Sequence, residues 1–142
     1  MSRLICSSCF WGTFNNTSNI INLKKCIFAM GEQADQFNEY RARMNERILS
    51  ADNKVVKRIF NVDTNAYTEG ALPVKTKELM GLVASLVLRC DDCVRYHLLK
   101  CKENNVSQEE LFEVFGIATL VGGTIVVPHM RRAVEFWDDM QG

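Results

Sequence analysis

The fold of this chain is decided by residues 74–100, which have the sequence VKTKELMGLVASLVLRCDDCVRYHLLK. Apolar residues recur at helical spacing through the first half, directly after Pro73, a residue suited to the opening turn of a helix. The pattern breaks near Arg89, and Cys90 begins a second helix. The stretch therefore predicts a helical hairpin at the centre of the fold.

The second helix of this hairpin carries two cysteines and a histidine on one face. Cys93 lies one turn beyond Cys90 and His97 one turn beyond Cys93, so the three side chains fall within an arc of roughly 60°. A thiol is a poor nucleophile until it loses its proton, and an adjacent imidazole or a helix N-terminus favours the thiolate. The segment predicts a reactive dithiol with a base beside it.

Glu78 lies in the first helix, twelve residues before the first cysteine. Antiparallel helices joined by a short turn would bring Glu78 level with His97. Its carboxylate would then orient His97 and carry a proton away from Cys93. The alternative is that Glu78 forms a surface ion pair with Lys75 or Lys77.

The remaining sequence from Glu32 onward is dominated by helical periodicity. The predicted features are a first helix through Leu49, a short second helix capped by Asp52, a polar turn over residues 61–70, a capping box at Ser107 and Glu110, and a last helix over residues 128–140. Residues 124–127 are the only strand candidate. We predict an all-α bundle of about six helices built around the central helical hairpin.

Composition narrows the class of protein. With 142 residues and 47% hydrophobic content, the chain has the size of one domain. Its formal net charge of zero argues against nucleic acid as a partner. No apolar run approaches the roughly 18 residues of a membrane span. Six cysteines without a clear secretory signal favour a reducing, cytoplasmic location. In such a compartment a cysteine pair is more often oxidised and reduced reversibly than held as a structural disulfide.

Residues 1–29 differ from the rest, because they are rich in Ser, Asn and Thr and contain no acidic residue. Three interpretations remain open, namely an N-terminal extension that precedes a true start at Met30, a transit peptide, and a structural arm. The pair Cys6 and Cys9 has no nearby histidine and is interpreted as incidental. The predicted domain spans residues 30–142.

The combination of Glu78 with Cys90-x-x-Cys93-x-x-x-His97, its flanking residues 75–79 and the pair Gly122-Gly123 resembles the alkylhydroperoxidase D branch of the carboxymuconolactone decarboxylase family. The resemblance covers roughly residues 40–140. It implies an all-helical subunit, homo-oligomers of three or six subunits, and peroxidase or disulfide reductase chemistry at the two cysteines. Decarboxylating members generally lack the cysteine pair, so its presence favours redox chemistry.

The resulting hypothesis needs neither a cofactor nor a metal. A thiolate attacks a hydroperoxide, the other cysteine resolves the sulfenic acid to a disulfide, and a dithiol or thioredoxin-like reductant restores the thiols. The helix N-terminus favours Cys90 as the attacking group, whereas the spacing to His97 favours Cys93. The resemblance also implies Cys93, with Cys90 resolving. The alternatives are a carboxymuconolactone decarboxylase-like lyase and an oligomeric redox-sensing module without enzymatic activity.

A zinc site is the main rival for the same residues. Cys90, Cys93, His97 and Cys101 are zinc-type ligands, but a straight helix would separate Cys90 from Cys101 by about 16 Å, too far for one ion. A further ligand, such as His129, would be required. We interpret Cys101 as a buried apolar residue and His129 as a surface or capping histidine.

Overall fold

The structure is a computed structural model and describes residues 31–141. These residues form six α-helices and one short 3-10 helix, and no β-strand occurs among them. The helices are α1 (Glu32–Leu49), α2 (Lys54–Ala66), α3 (Val74–Val87), α4 (Asp91–Glu103), α5 (Gln108–Gly122), the 3-10 helix (Thr124–Val126) and α6 (Val127–Asp139). The prediction of an all-α bundle of about six helices is confirmed.

The hairpin of α3 and α4 lies at the centre of the bundle. Helix α3 packs along α4 and also against α5, while α6 lies against α4 and α1 lies against α6. The core forms where these helices face one another, and its fully buried side chains include Leu82, Leu86, Leu98, Leu111, Phe115 and Phe136. Each such side chain contributes roughly 1.5–3 kcal/mol on burial, so the apolar seam between α3 and α4 fixes the register of the hairpin.

The hairpin turn depends on one residue in a left-handed backbone conformation. Helix α3 ends at Val87, Arg89 has φ 60°, and Cys90 is the N-cap of α4. The backbone N–H groups of Arg89 and Cys90 donate to the carbonyls of Leu86 at 3.1 Å and Ser85 at 3.0 Å. These bonds close the end of α3 and offset the steric cost of the left-handed conformation for a residue with a Cβ. The predicted break near Arg89 is confirmed.

Side-chain caps begin two of the other helices. Ser107 Oγ accepts from the backbone N–H of Glu110 at 3.2 Å, and Glu110 Oε2 accepts from the backbone N–H of Ser107 at 2.8 Å, which confirms the capping box. The cap of α2 is Asn53, whose Oδ1 accepts from two backbone N–H groups of the first turn. The prediction of Asp52 is wrong by one residue, because Asp52 has φ 54° and belongs to the turn before the helix.

Two predicted segments differ from the structure. Residues 61–70 are predicted to be a turn, but α2 continues to Ala66, where Asn65 Nδ2 donates to the carbonyl of Asn61 at 2.8 Å and supports the last turn. The strand candidate at residues 124–127 is a 3-10 helix that leads into α6. Gly123, with φ 77°, ends α5 immediately before it, so too few residues separate the two helices for a strand.

The predictions for residues 1–29, together with Cys6, Cys9 and Cys26, lie outside the residues that the structure describes. Among the described helices, none combines the length and the hydropathy that are needed to cross a membrane.

Candidate redox site

The two cysteines lie at the N-terminus of α4, next to the hairpin turn. Cys90 is the N-cap and is partly exposed, and Cys93 is exposed in the first helical turn. Their Cα atoms are 5.3 Å apart and the two sulfurs form a disulfide, while Cys90 Sγ also accepts from the backbone N–H of Cys93 at 3.3 Å. The partial positive charge of a helix N-terminus favours a thiolate at this position, and exposure lets an external reagent reach Cys93.

The structure brings Glu78 and His97 together, as the spacing from the turn predicts. His97 Nδ1 and Glu78 Oε2 are 2.8 Å apart, and the residues are only 7% and 2% exposed. A carboxylate can only accept, so the hydrogen lies on Nδ1 and Nε2 remains available for proton exchange. The alternative prediction, a surface ion pair of Glu78 with a lysine, is wrong, because Lys75 pairs with Glu110 on the surface instead.

Tyr67 completes the surroundings of His97, and no sequence pattern identifies it. It follows the last residue of α2, and its ring centroid lies 5.4 Å from that of His97. A Cβ at Gly81 on α3 would be 2.6 Å from Tyr67 Oη and 2.7 Å from His97 Nε2, so both groups converge on the Cα of Gly81. Burial, then Glu78 and Asp63, raise the pKa of Tyr67, so its phenol keeps its proton.

A second histidine and carboxylate pair contains Asp91, the residue after Cys90. His129 Nδ1 is 2.7 Å from Asp91 Oδ1, and Arg132 Nε donates to Asp91 Oδ2 at 3.0 Å. Burial raises the pKa of Asp91, but hydrogen bonds from His129 and Arg132 together hold it below its ordinary value. Asp91 directly follows Cys90, so this pairing offsets a negative charge that would otherwise oppose a thiolate there. The prediction of a surface or capping histidine leaves out this partner, which lies in another helix.

The family of the chain follows from the comparisons with known proteins. The sequence model described as the Carboxymuconolactone decarboxylase family matches residues 53–136, more than half of the chain. The chain belongs to the carboxymuconolactone decarboxylase family. The matched region contains both cysteines and both histidines.

Solved structures of this carboxymuconolactone decarboxylase family show the same fold. Two crystal structures of a Thermotoga maritima protein have 55% and 54% sequence identity and TM-scores of 0.73 and 0.72. Each match includes 75% of this chain, and it includes 93% of the first Thermotoga maritima chain and 90% of the second. That protein is described as a carboxymuconolactone decarboxylase family protein with a suggested involvement in antioxidative response.

More distant relatives extend the family comparison. A carboxymuconolactone decarboxylase family protein from Legionella pneumophila, solved in its apo form, shares the fold with a TM-score of 0.71 at 20% identity, over 78% of this chain and 99% of its own. An uncharacterized protein from Cupriavidus necator is 30% identical over 73 residues. The match spans 51% of this chain and 65% of that relative, slightly less than two thirds of its length.

Cys101, the third cysteine among residues 31–141, does not belong to the site of this family member. It is fully buried, and burial raises the pKa of its thiol to about 12. The prediction of a buried apolar cysteine is therefore confirmed. Within the described part of the chain, no three histidine, cysteine or acidic side chains cluster in a way that could hold a metal ion.

Proposed function

We propose that this protein is a thiol-dependent peroxidase and disulfide oxidoreductase, which reduces hydroperoxides with the Cys90 and Cys93 dithiol and needs no cofactor. The observation that carries the proposal is the buried hydrogen bond of 2.8 Å between His97 and Glu78, one helical turn beyond an exposed cysteine. A structural disulfide has no need of a buried acid and base one helical turn away. The suggested antioxidative involvement of the Thermotoga maritima relative agrees with this chemistry.

The reaction begins with Cys93. Its thiolate attacks the terminal oxygen of the hydroperoxide, so that an S–O bond forms, the O–O bond breaks and the alcohol leaves after gaining a proton. The Cys90 thiol then attacks the sulfur of the sulfenic acid, which forms the disulfide and releases water. A dithiol or thioredoxin-like donor returns two electrons by thiol–disulfide exchange.

Each residue has a distinct role in this sequence. The N-terminus of α4 stabilises the thiolate, and the greater exposure of Cys93 supports its assignment as the attacking thiol. His97 accepts the thiol proton and Glu78 fixes the tautomer and orientation of His97. Cys90, held at the N-cap, is the resolving thiol.

We further propose that the working form is a homo-oligomer. Three exposed apolar residues, Val55, Ile59 and Val62, form a stripe along α2, which has no buried residue. An open apolar groove of about 600 Å³ lies between α3 and α5, and Met80, Leu88 and Ile117 are among its lining residues. Apolar surfaces of this kind mark interaction sites, and a second copy of the chain would cover them.

The proposal is tested with full-length reduced protein, tert-butyl hydroperoxide and dithiothreitol as the donor. We expect peroxide consumption by the wild type and by Cys101→Ser, the matched control, and loss of turnover in Cys93→Ser and Cys90→Ser. A small thiol should be trapped as a mixed disulfide on Cys93 in the Cys90→Ser variant.

Two results would contradict the proposal. Peroxide consumption that persists after both redox cysteines become serine would show that this dithiol is not the group that reduces the hydroperoxide. A stable disulfide with no peroxide consumption with any donor would indicate a redox-sensing module.

A further inference from the structure

The acid and base of this site are buried and have little contact with bulk water. Glu78 and His97 are 2% and 7% exposed, and the Nδ1 of His97 is already bonded to Glu78. A proton that His97 takes from a thiol must nevertheless return to solvent before the next turnover. The only nitrogen left for that exchange is Nε2.

Tyr67 packs against the ring of His97, with ring centroids 5.4 Å apart. Its Oη and His97 Nε2 lie 2.6 Å and 2.7 Å from the position that a Cβ on Gly81 would occupy. A larger residue at position 81 would fill the space between them, so glycine keeps this approach open. Unlike the buried pair, Tyr67 is partly exposed and therefore connects the interior to the surface.

Lys77 holds Tyr67 in place from both sides. Its Nζ donates to the carbonyl of Ala66 at 2.8 Å and to that of Thr68 at 2.7 Å, the residues that flank Tyr67. An ammonium group at the C-terminus of a helix also interacts favourably with the carbonyls there. The loop that carries Tyr67 is thus fastened to α3 one residue before Glu78.

The charges around Tyr67 keep it in the phenol form. The titratable groups that face it are Asp63 on α2, Glu78 and Lys77 on α3, and Tyr96 and His97 on α4. Burial, then the carboxylates, raise the pKa of Tyr67, so a phenolate is not a stable intermediate. A proton can pass through this group only if one arrives as another leaves.

We propose that Tyr67 is a positioning residue that exchanges protons between Nε2 of His97 and solvent, a role that rests on the proposed peroxidase function. In one step Oη receives the proton from Nε2, directly or through one water, and releases its own hydroxyl proton to solvent. The phenol is neutral before and after, His97 returns to its neutral form, and no electron is transferred. The reverse step protonates His97.

The first test compares Tyr67→Phe with Tyr40→Phe, a control at a tyrosine that is 53% exposed on α1. We expect Tyr67→Phe to lower peroxide turnover by at least about tenfold at low buffer concentration, since positioned proton transfer is worth this much or more. Added imidazole should restore the rate of Tyr67→Phe and leave wild type and Tyr40→Phe unchanged. A rate loss that imidazole does not restore would overturn the proposal, since a structural defect behaves in that way.

A second variant distinguishes loss of proton exchange from a folding defect in Tyr67→Phe. Tyr67→His keeps an aromatic ring with an exchangeable proton and should recover most of the turnover that Tyr67→Phe loses. Equal losses in the two variants would overturn the proposal.

A second test needs no turnover and so separates this inference from the proposed function. The chain has two histidines, so in protein labelled with ¹⁵N-histidine the water exchange of each ring N–H can be followed by NMR. Tyr67→Phe should slow the exchange of His97 by about tenfold and leave that of His129 unchanged. Unchanged exchange at His97 would refute the role of Tyr67. Slower exchange in a protein that consumes no peroxide would support that role and refute the peroxidase function.

Discussion

Gly81 is the position where one added methyl group tests the geometry of the site. Its Cβ would lie 2.6 Å from Tyr67 Oη and 2.7 Å from His97 Nε2, well inside van der Waals contact. His97 is bonded to Glu78, and Lys77 holds the backbone on both sides of Tyr67. Because neither neighbour can move freely, we expect Gly81→Ala to push the Tyr67 ring away from His97.

The size of the effect follows from two opposing contributions. Alanine in place of glycine stabilises a helix interior by about 1 kcal/mol, whereas a methyl group forced into an occupied site costs about 1–3 kcal/mol. At Gly116 on α5, nothing lies within 4 Å of the added Cβ, so only the first contribution applies. We therefore expect Gly81→Ala to be less stable than Gly116→Ala by about 1–3 kcal/mol.

Urea unfolding followed by circular dichroism measures this difference, with both variants at one protein concentration. For slopes of about 1–3 kcal/mol per molar urea, the two midpoints should differ by about 1 M. Equal midpoints with equal slopes would refute the close contact at Gly81. Peroxide turnover should fall in Gly81→Ala and stay unchanged in Gly116→Ala.

Four further expectations concern charge, thiol reactivity and assembly. Asp91→Asn should make the reduction potential of the cysteine pair less negative by up to about 20 mV, and Arg132→Gln should make it more negative, as measured in glutathione buffers. Shifts of the same sign in the two variants would show that the charges of Asp91 and Arg132 do not set the potential. Because the pKa of Asp91 is held low, its contribution to stability is complete above about pH 4 and is lost as the pH falls further, so urea unfolding of wild type and Asp91→Asn should converge in acid. Cys101, whose pKa is raised to about 12, should resist alkylation by iodoacetamide in the native reduced protein. Labelling of Cys101 at the rate of the redox cysteines would show that the core around it opens to solvent. Ile117→Asp, at a groove residue that is 53% exposed, should lower the mass found by light scattering, and an unchanged mass would exclude this part of α5 from the interface.

The elements that the sequence predicts well are those with a local cause. Apolar spacing predicts the hairpin helices, and the capping box of Ser107 and Glu110 predicts the start of α5, because both depend on residues within one or two turns. The errors occur where local signals conflict. Residues 61–66 are mostly polar and rich in turn formers, yet hydrogen bonds such as that from Asn65 to Asn61 continue the helix.

The contacts of the candidate site also differ in whether the sequence predicts them. The pairing of Glu78 with His97 is predictable because both lie in one hairpin at similar distances from its turn. The contact of Tyr67 with His97 joins the residue after α2 to a residue of α4, 30 positions apart, and that of His129 with Asp91 joins residues 38 positions apart. Periodicity relates residues within an element and carries no information on such contacts between elements.

The place of the Glu78 and His97 pair in the core argues for chemistry rather than stability. Apart from this pair and Ser85, the buried side chains of α3 and α4 are apolar, and Leu82, Leu86 and Leu98 are fully buried. Replacing a buried charged or polar pair by apolar residues of similar volume is often neutral or stabilising, so folding alone gives no reason for a carboxylate and an imidazole here. Burial instead gives the pair a low local dielectric and excludes competing water, which strengthens their interaction. The same burial creates the need for a route by which protons reach solvent, and Tyr67 occupies the position where that route would begin.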